Sequence, residues 1–142
     1  MIKITDEMGK SINNALANGT PCILATASPK GEPSLGFRGS MMVYDGESLA
    51  YWERAKRAGL EHIEANPKVV VLYRDPTTHL AWKFHGEATI YRDGLIRDHV
   101  MARVVQPELD RDPDRTGYAV IIRLNSVLTM GGDVVQQREP SL

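Results

Sequence analysis

The pair Asp45-Gly46 narrows most sharply what this chain can fold into. An Asp-Gly pair between apolar runs is the strongest hairpin signal in the sequence and joins two antiparallel strands. The flanking runs, residues 33–44 and 48–53, carry Leu, Phe, Met, Val, Tyr and Trp and read as the two arms of a hairpin. An earlier turn, Pro29-Lys30-Gly31-Glu32, joins a strand over residues 22–28 to the first of those arms. Three antiparallel strands therefore come first. Gly36 and Gly39 interrupt the second one, which suggests a bend or the close approach of a ligand to the backbone.

Helical periodicity frames these strands. Residues 5–17 repeat apolar side chains at Met8, Ile12, Ala15 and Leu16, with Thr5 or Asp6 as cap and Gly19 and Pro21 as stop. A short helix over residues 58–65 ends before Pro67, because the residue preceding proline is pushed out of the α region. Residues 69–73 are apolar at successive positions, as in a strand covered on both faces. A long strand over residues 80–91 and a helix over 93–104 follow. Residues 106–115, with two prolines and three aspartates, read as a surface loop. Residues 118–124 form the last clear strand, 127–130 extend the sheet, and 136–142 read as a loose tail. Six antiparallel strands with marginal helices make a mostly β domain, a small closed or partly split barrel. Such a barrel fills its own interior, so a ligand lies outside it and a second subunit would cover the ligand. Trp82 and Phe84 read as exposed aromatics in need of that cover.

Composition removes several classes of function. The 142 residues fit one domain, 1–142, and 42% hydrophobic with 25% charged residues is ordinary for a globular chain. A net charge of −1 advertises neither a nucleic-acid nor a membrane partner. Cys22 is the only cysteine, which excludes an internal disulfide, and it reads as a small buried hydrophobe. His62, His79, His85 and His99 lack metal-ligand spacing, so no metal is expected. Ser40 has no His/Asp partners nearby for a nucleophilic triad. Without a signal segment or a long apolar run, the expected address is the cytoplasm.

The strongest chemical signal is Trp52-Glu53-Arg54-Ala55-Lys56-Arg57-Ala58-Gly59-Leu60, three cations immediately before a helix N-terminus. Unpaired N–H groups and the positive end of the helix favour an anion there. Lys56 and Arg57 add charge-assisted bonds, and Gly59 lets a phosphate reach the backbone. The same run also suits a solvated surface, with Glu53 paired to Arg54 or Lys56.

Residues 51–71 resemble the pyridoxamine 5′-phosphate oxidase-like FMN-binding split barrels. An aromatic strand end leads into a phosphate turn, then a helix closing in Asn66-Pro67 and an apolar strand. The likeness includes Leu24-Ala25-Thr26, Gly31-Glu32-Pro33, Asp45-Gly46 and Gly86-Glu87-Ala88, and covers roughly residues 5–92. It implies a six-stranded antiparallel split β-barrel and a homodimer with FMN at the subunit interface. By position, Arg38, Gly39, Ser40 and Met41 would line the flavin ring with Trp52 and Glu53 beside it. Lys56, Arg57, Gly59 and Leu60 would fall on the phosphate turn. The family's Ser-Arg-Lys phosphate motif reads Arg57-Ala58-Gly59 here, so its two cations are out of register. The implied activity is a flavin-dependent oxidoreductase acting on a small molecule. The tail Gln136-Gln137-Arg138-Glu139 offers no equivalent of the arginine and histidine with which true pyridoxamine phosphate oxidases grip their product. The deazaflavin F420 in the same groove is the alternative cofactor, and a non-catalytic flavin- or haem-binding module, with His62 nearest the groove, is the alternative role.

Overall fold

Arg38 and Met42 end two strands that lie at opposite edges of one antiparallel sheet, yet only three residues separate them. The computed structural model describes residues 1–140, so Ser141 and Leu142 of the expected tail lie outside the described residues. Its elements, in chain order, are α1 (Asp6–Asn13), β1 (Cys22–Ala27), β2 (Pro33–Arg38), β3 (Met42–Asp45), β4 (Ser48–Glu53) and α2 (Ala58–Ala65). They continue with β5 (Lys68–Arg74), β6 (Ala81–Tyr91), α3 (Gly94–Arg103), α4 (Gln106–Leu109), β7 (Tyr118–Leu128) and β8 (Val134–Gln137). The sheet order is β2-β1-β5-β6-β7-β4-β3, with β8 paired to the far end of β7. Four Cα–Cα steps span at most ~15 Å, so the sheet curls until its edges nearly meet. The edges are not hydrogen-bonded to each other. The barrel is split there.

The split corrects the sequence reading of residues 33–44 as one strand. Met41 N closes a turn onto Arg38 O at 3.2 Å. Ser40 then stands in for the missing ladder: its Oγ accepts from Trp52 N at 2.9 Å and donates to Trp52 O at 3.2 Å. A side-chain hydroxyl thus satisfies the β4 backbone where a neighbouring strand is absent.

Eight strands replace the expected six, because residues 33–44 divide and residues 134–137 form β8, which takes in the first two residues of the expected tail. β4 pairs with the first part of β7, from Tyr118 to Arg123, which leaves Ser126 to Leu128 for β8. The first helix is shorter than residues 5–17. Thr5 caps it, its Oγ1 accepting from Met8 N at 3.1 Å. Asn14 ends it by donating its side-chain amide to Lys10 O at 2.7 Å.

One core fills the barrel, built from Leu24, Leu49, Tyr51, Val71, Phe84, Ile122 and Leu124 among others, with α1 and α2 plugging it through Ile12 and Ile63. Trp82 and Phe84 belong to this core, and Trp82 stacks on Tyr73 with centroids 5.8 Å apart. Their expected exposure is therefore wrong, since both fall on the inward parity of β6. A second core, Met42, Ala50, Trp52, Val100, Val104 and Ala119, packs α3 against the outside of β3, β4 and β7. β4, buried at all six positions, is the doubly covered strand. β5, expected in that role, alternates instead: Val69, Val71 and Tyr73 face inward while Val70 and Leu72 are half-buried. Gly86 sits at a bulge in β6, where any Cβ would collide with the Arg123 carbonyl.

Candidate functional site

The split positions the charged residues. Arg38 ends β2 on one side of the gap, and Glu53 ends the buried strand β4 on the other. Arg38 Nη2 donates to Glu53 Oε2 at 3.2 Å, and Nη1 donates to the Phe37 carbonyl at 2.9 Å. Glu53 thus pairs with Arg38 and not with Arg54 or Lys56 as the sequence suggests. The guanidinium lies between two glycines: a Cβ on Gly36 or on Gly59 would sit 2.9 Å from one of its terminal nitrogens. It also lies 5.6 Å from the centre of the Tyr51 ring. Arg38 Nε and Tyr51 Oη are both buried and without a hydrogen-bond partner. Burial pushes the Tyr51 phenol well above its usual range; Glu53 adds to that and Arg38 opposes it.

Arg57 is the N-cap residue of α2 and makes no side-chain capping bond. The first amides of a helix have no partner within it, so Ala58 and Gly59 present N–H groups outward. A cavity of about 320 Å³ opens at this end, lined by Leu24, Thr26, Gly36, Arg38, Arg57 and Gly59 among others. A smaller cleft of about 70 Å³ adjoins it between residues 37–40 and 52–55, and the two share Arg38, Glu53 and Ala55.

The sequence-derived site residues separate into groups. Arg38, Glu53, Arg57 and Gly59 converge on the larger cavity, and Gly39, Ser40 and Trp52 line the smaller cleft. Met41 and Leu60 are buried, and neither lines a cavity at the site. Lys56, at a φ of 51°, turns its ammonium over the Tyr118 ring at 4.1 Å and does not line the cavity. Two expected ring-side features have structural work of their own: Ser40 is spent on the Trp52 backbone, and the Trp52 indole points to Asp112.

Three further residues shape the site and were not singled out from the sequence. Tyr51 belongs to the barrel core, its ring beneath the Arg38 guanidinium. Glu108 packs over Gly39, where a Cβ would strike its carboxylate, and lies 3.6 Å from Arg54. Asp112 accepts from Trp52 Nε1 at 2.8 Å, Thr116 N at 3.0 Å, Thr116 Oγ1 at 3.2 Å and Gly117 N at 2.8 Å. Burial alone would raise this carboxyl, but the four hydrogen bonds outweigh burial and hold it below the ordinary range. The one available signal was an Asp followed four and five residues later by Thr and Gly, a pattern of side-chain-to-backbone capping.

The donor set suits a flavin phosphate. Two guanidinium groups, a helix N-terminus without a cap and two close-approach glycines face one cavity, and a buried arginine N–H there lacks an acceptor. Among the described residues no group of three His, Cys, Asp or Glu side chains is placed to hold a metal ion. No helix among them is long and apolar enough to cross a membrane.

A split antiparallel barrel with an arginine-lined cavity at its seam defines the class. The sequence profile described as Pyridoxamine 5′-phosphate oxidase matches residues 8–124, and the chain belongs to that family. Among solved structures, HupZ of Group A Streptococcus superposes with a TM-score of 0.72 at 24% identity, covering 94% of this chain and 99% of its own. A candidate pyridoxamine 5′-phosphate oxidase from Lactobacillus delbrueckii gives 0.70 at 26% identity over 91% and 96%. An FMN-binding protein from Syntrophomonas wolfei gives 0.69 at 12% identity over 94% and 87%. An F420 reductase also matches, with a TM-score of 0.57 at 23% identity over 76% and 88%. No curated protein matches the chain.

Proposed function

We propose that the chain is an FMN-dependent oxidoreductase working as a cytoplasmic homodimer, with the FMN phosphate at the N-terminus of α2. The observation that carries this reading is the convergence of Arg38, Arg57 and the amides of Ala58 and Gly59 on one cavity. In this assignment Arg57 and the helix amides bind the phosphate, and Arg38 adds the donors that Glu53 and Phe37 leave unused. Gly39, Ser40 and residues 52–55 line the ring end, with Lys56 acting through Tyr118 to hold the turn. Bound FMN would supply hydride or electron transfer, while the protein orients it and limits its contact with water. The substrate is a small molecule other than pyridoxamine phosphate. Arg138, the only arginine in the tail, donates to Leu124 O at 3.0 Å and Glu47 Oε1 at 2.8 Å.

The dimer is supported by an apolar outer face instead of by Trp82 and Phe84. The register aligns Phe37, Ile23 and Leu72 in one row and Leu35, Ala25 and Val70 in the next. Leu35 and Phe37 are 72% and 68% exposed on an edge strand. Edge strands with exposed apolar side chains are ordinarily covered, and a two-fold copy would cover this one beside the groove.

The F420 reductase among the matching structures favours a second reading, F420 in the same groove. A haem-binding role has less support. His62, the nearest histidine, spends Nδ1 on Thr26 Oγ1 at 3.1 Å. The visible absorbance of the purified protein tests the proposal: an oxidised flavin spectrum supports FMN, a deazaflavin spectrum favours F420, and failure to bind added FMN refutes the first reading.

A further inference from the structure

Two arginine–glutamate pairs line the groove, Arg38–Glu53 and Arg54–Glu108, and they differ in burial. The Glu53 side chain is 5% exposed and its partner Arg38 20%, while Glu108 is 14% and Arg54 35% exposed. Burying a carboxylate is costly unless a cation pairs with it, and Arg38 is the cation that Glu53 touches. Arg38 in turn has more donors than Glu53 can use. Of its five N–H bonds, one goes to Glu53, another goes to Phe37, and Nε stays buried without an acceptor.

We propose that Glu53 is a resident counter-anion of Arg38, and that its charge sets which ligand charge the groove accepts. Before an anion arrives, Glu53 pins the guanidinium between Gly36 and Gly59 at the mouth of α2. When a phosphate ester arrives, Arg38 has donors for it, but Glu53 already holds Nη2, the nitrogen nearest Gly59, lines the same cavity, and repels the dianion. The residue therefore penalises a phosphate monoester relative to a neutral ligand of the same shape. This inference rests on the cavity being the phosphate end of the ligand groove.

Glu53→Gln keeps the shape and one oxygen acceptor for Arg38 while removing the charge. Glu53→Asp keeps the charge and shortens the reach. Wild type and both variants are titrated with FMN and with riboflavin, and their melting temperatures are recorded. Glu53→Gln should bind FMN about ten-fold more tightly than wild type, the order expected for removing one like charge from a half-buried site. Riboflavin should change by less than about two-fold, and Glu53→Asp should stay nearer to wild type than to Glu53→Gln. An FMN affinity unchanged or weakened in folded Glu53→Gln would overturn the proposal, as would an equal gain for riboflavin. If neither wild type nor variant binds FMN, the cofactor assignment fails separately and inorganic phosphate becomes the probe. Stabilisation by phosphate should then be larger in Glu53→Gln than in wild type, and an equal response refutes the counter-anion role. Should Glu53→Gln not fold, Glu53→Ala is read by the same comparisons.

Discussion

The indole N–H of Trp52 donates to Asp112 Oδ2 at 2.8 Å, tying the loop after α4 to the end of the buried strand β4. Arg97 lies 4.8 Å over the same indole and donates to the carbonyls of Gly117 and Arg115, so the loop is clamped from both sides. Asp112→Asn sets an amide against several N–H donors. It should destabilise the fold by about 1–3 kcal/mol, measured by denaturant unfolding at neutral pH.

The same carboxyl gives a pH dependence of known sign. Its folded-state pKa is depressed, because hydrogen bonds from Thr116, Trp52 and Gly117 outweigh its burial. Its contribution is therefore complete above the unfolded aspartate value, about 3.9, and is lost as the pH falls through the lower folded value. Wild type should lose stability in that acid range more steeply than Asp112→Asn. Parallel acid limbs would mean that Asp112 is not the group responsible.

Ser40→Ala leaves Trp52 N without its 2.9 Å acceptor in a buried setting. The expected cost is about 1–3 kcal/mol. A neutral effect on thermal stability would show that water replaces the hydroxyl.

Phe37→Asp places a charge in the exposed apolar row Phe37, Ile23 and Leu72. Sedimentation should show a dimer for wild type and a monomer for the variant. A monomeric wild type at micromolar concentration would dispose of the dimer.

Much of the fold was legible because turn chemistry and periodicity are local. Asp45-Gly46, Gly31 and Asn66-Pro67 mark their turns or helix end within a few residues, and α2 runs from Ala58 to Ala65 as read. A split barrel was expected, but the place of the split within residues 33–44 was not legible, because Ser40 replaces a strand through its contact with Trp52, a partner known only once the sheet has curled. Trp82 and Phe84 were misplaced for a related reason: alternation shows that a strand has two faces without showing which one turns inward. At the site, the cation cluster points to the start of α2, but net charge along a chain does not give side-chain direction. Lys56 turned to Tyr118, and Arg38, nineteen residues before Arg57, arrived from across the gap.

Flavin titration of Arg57→Ala reads the placement of the phosphate most directly. Wild type should bind FMN more tightly than riboflavin, and Arg57→Ala should lose about ten-fold in FMN affinity while riboflavin affinity stays within about two-fold. Equal losses for both ligands, or no loss for either, would place the phosphate away from the N-terminus of α2.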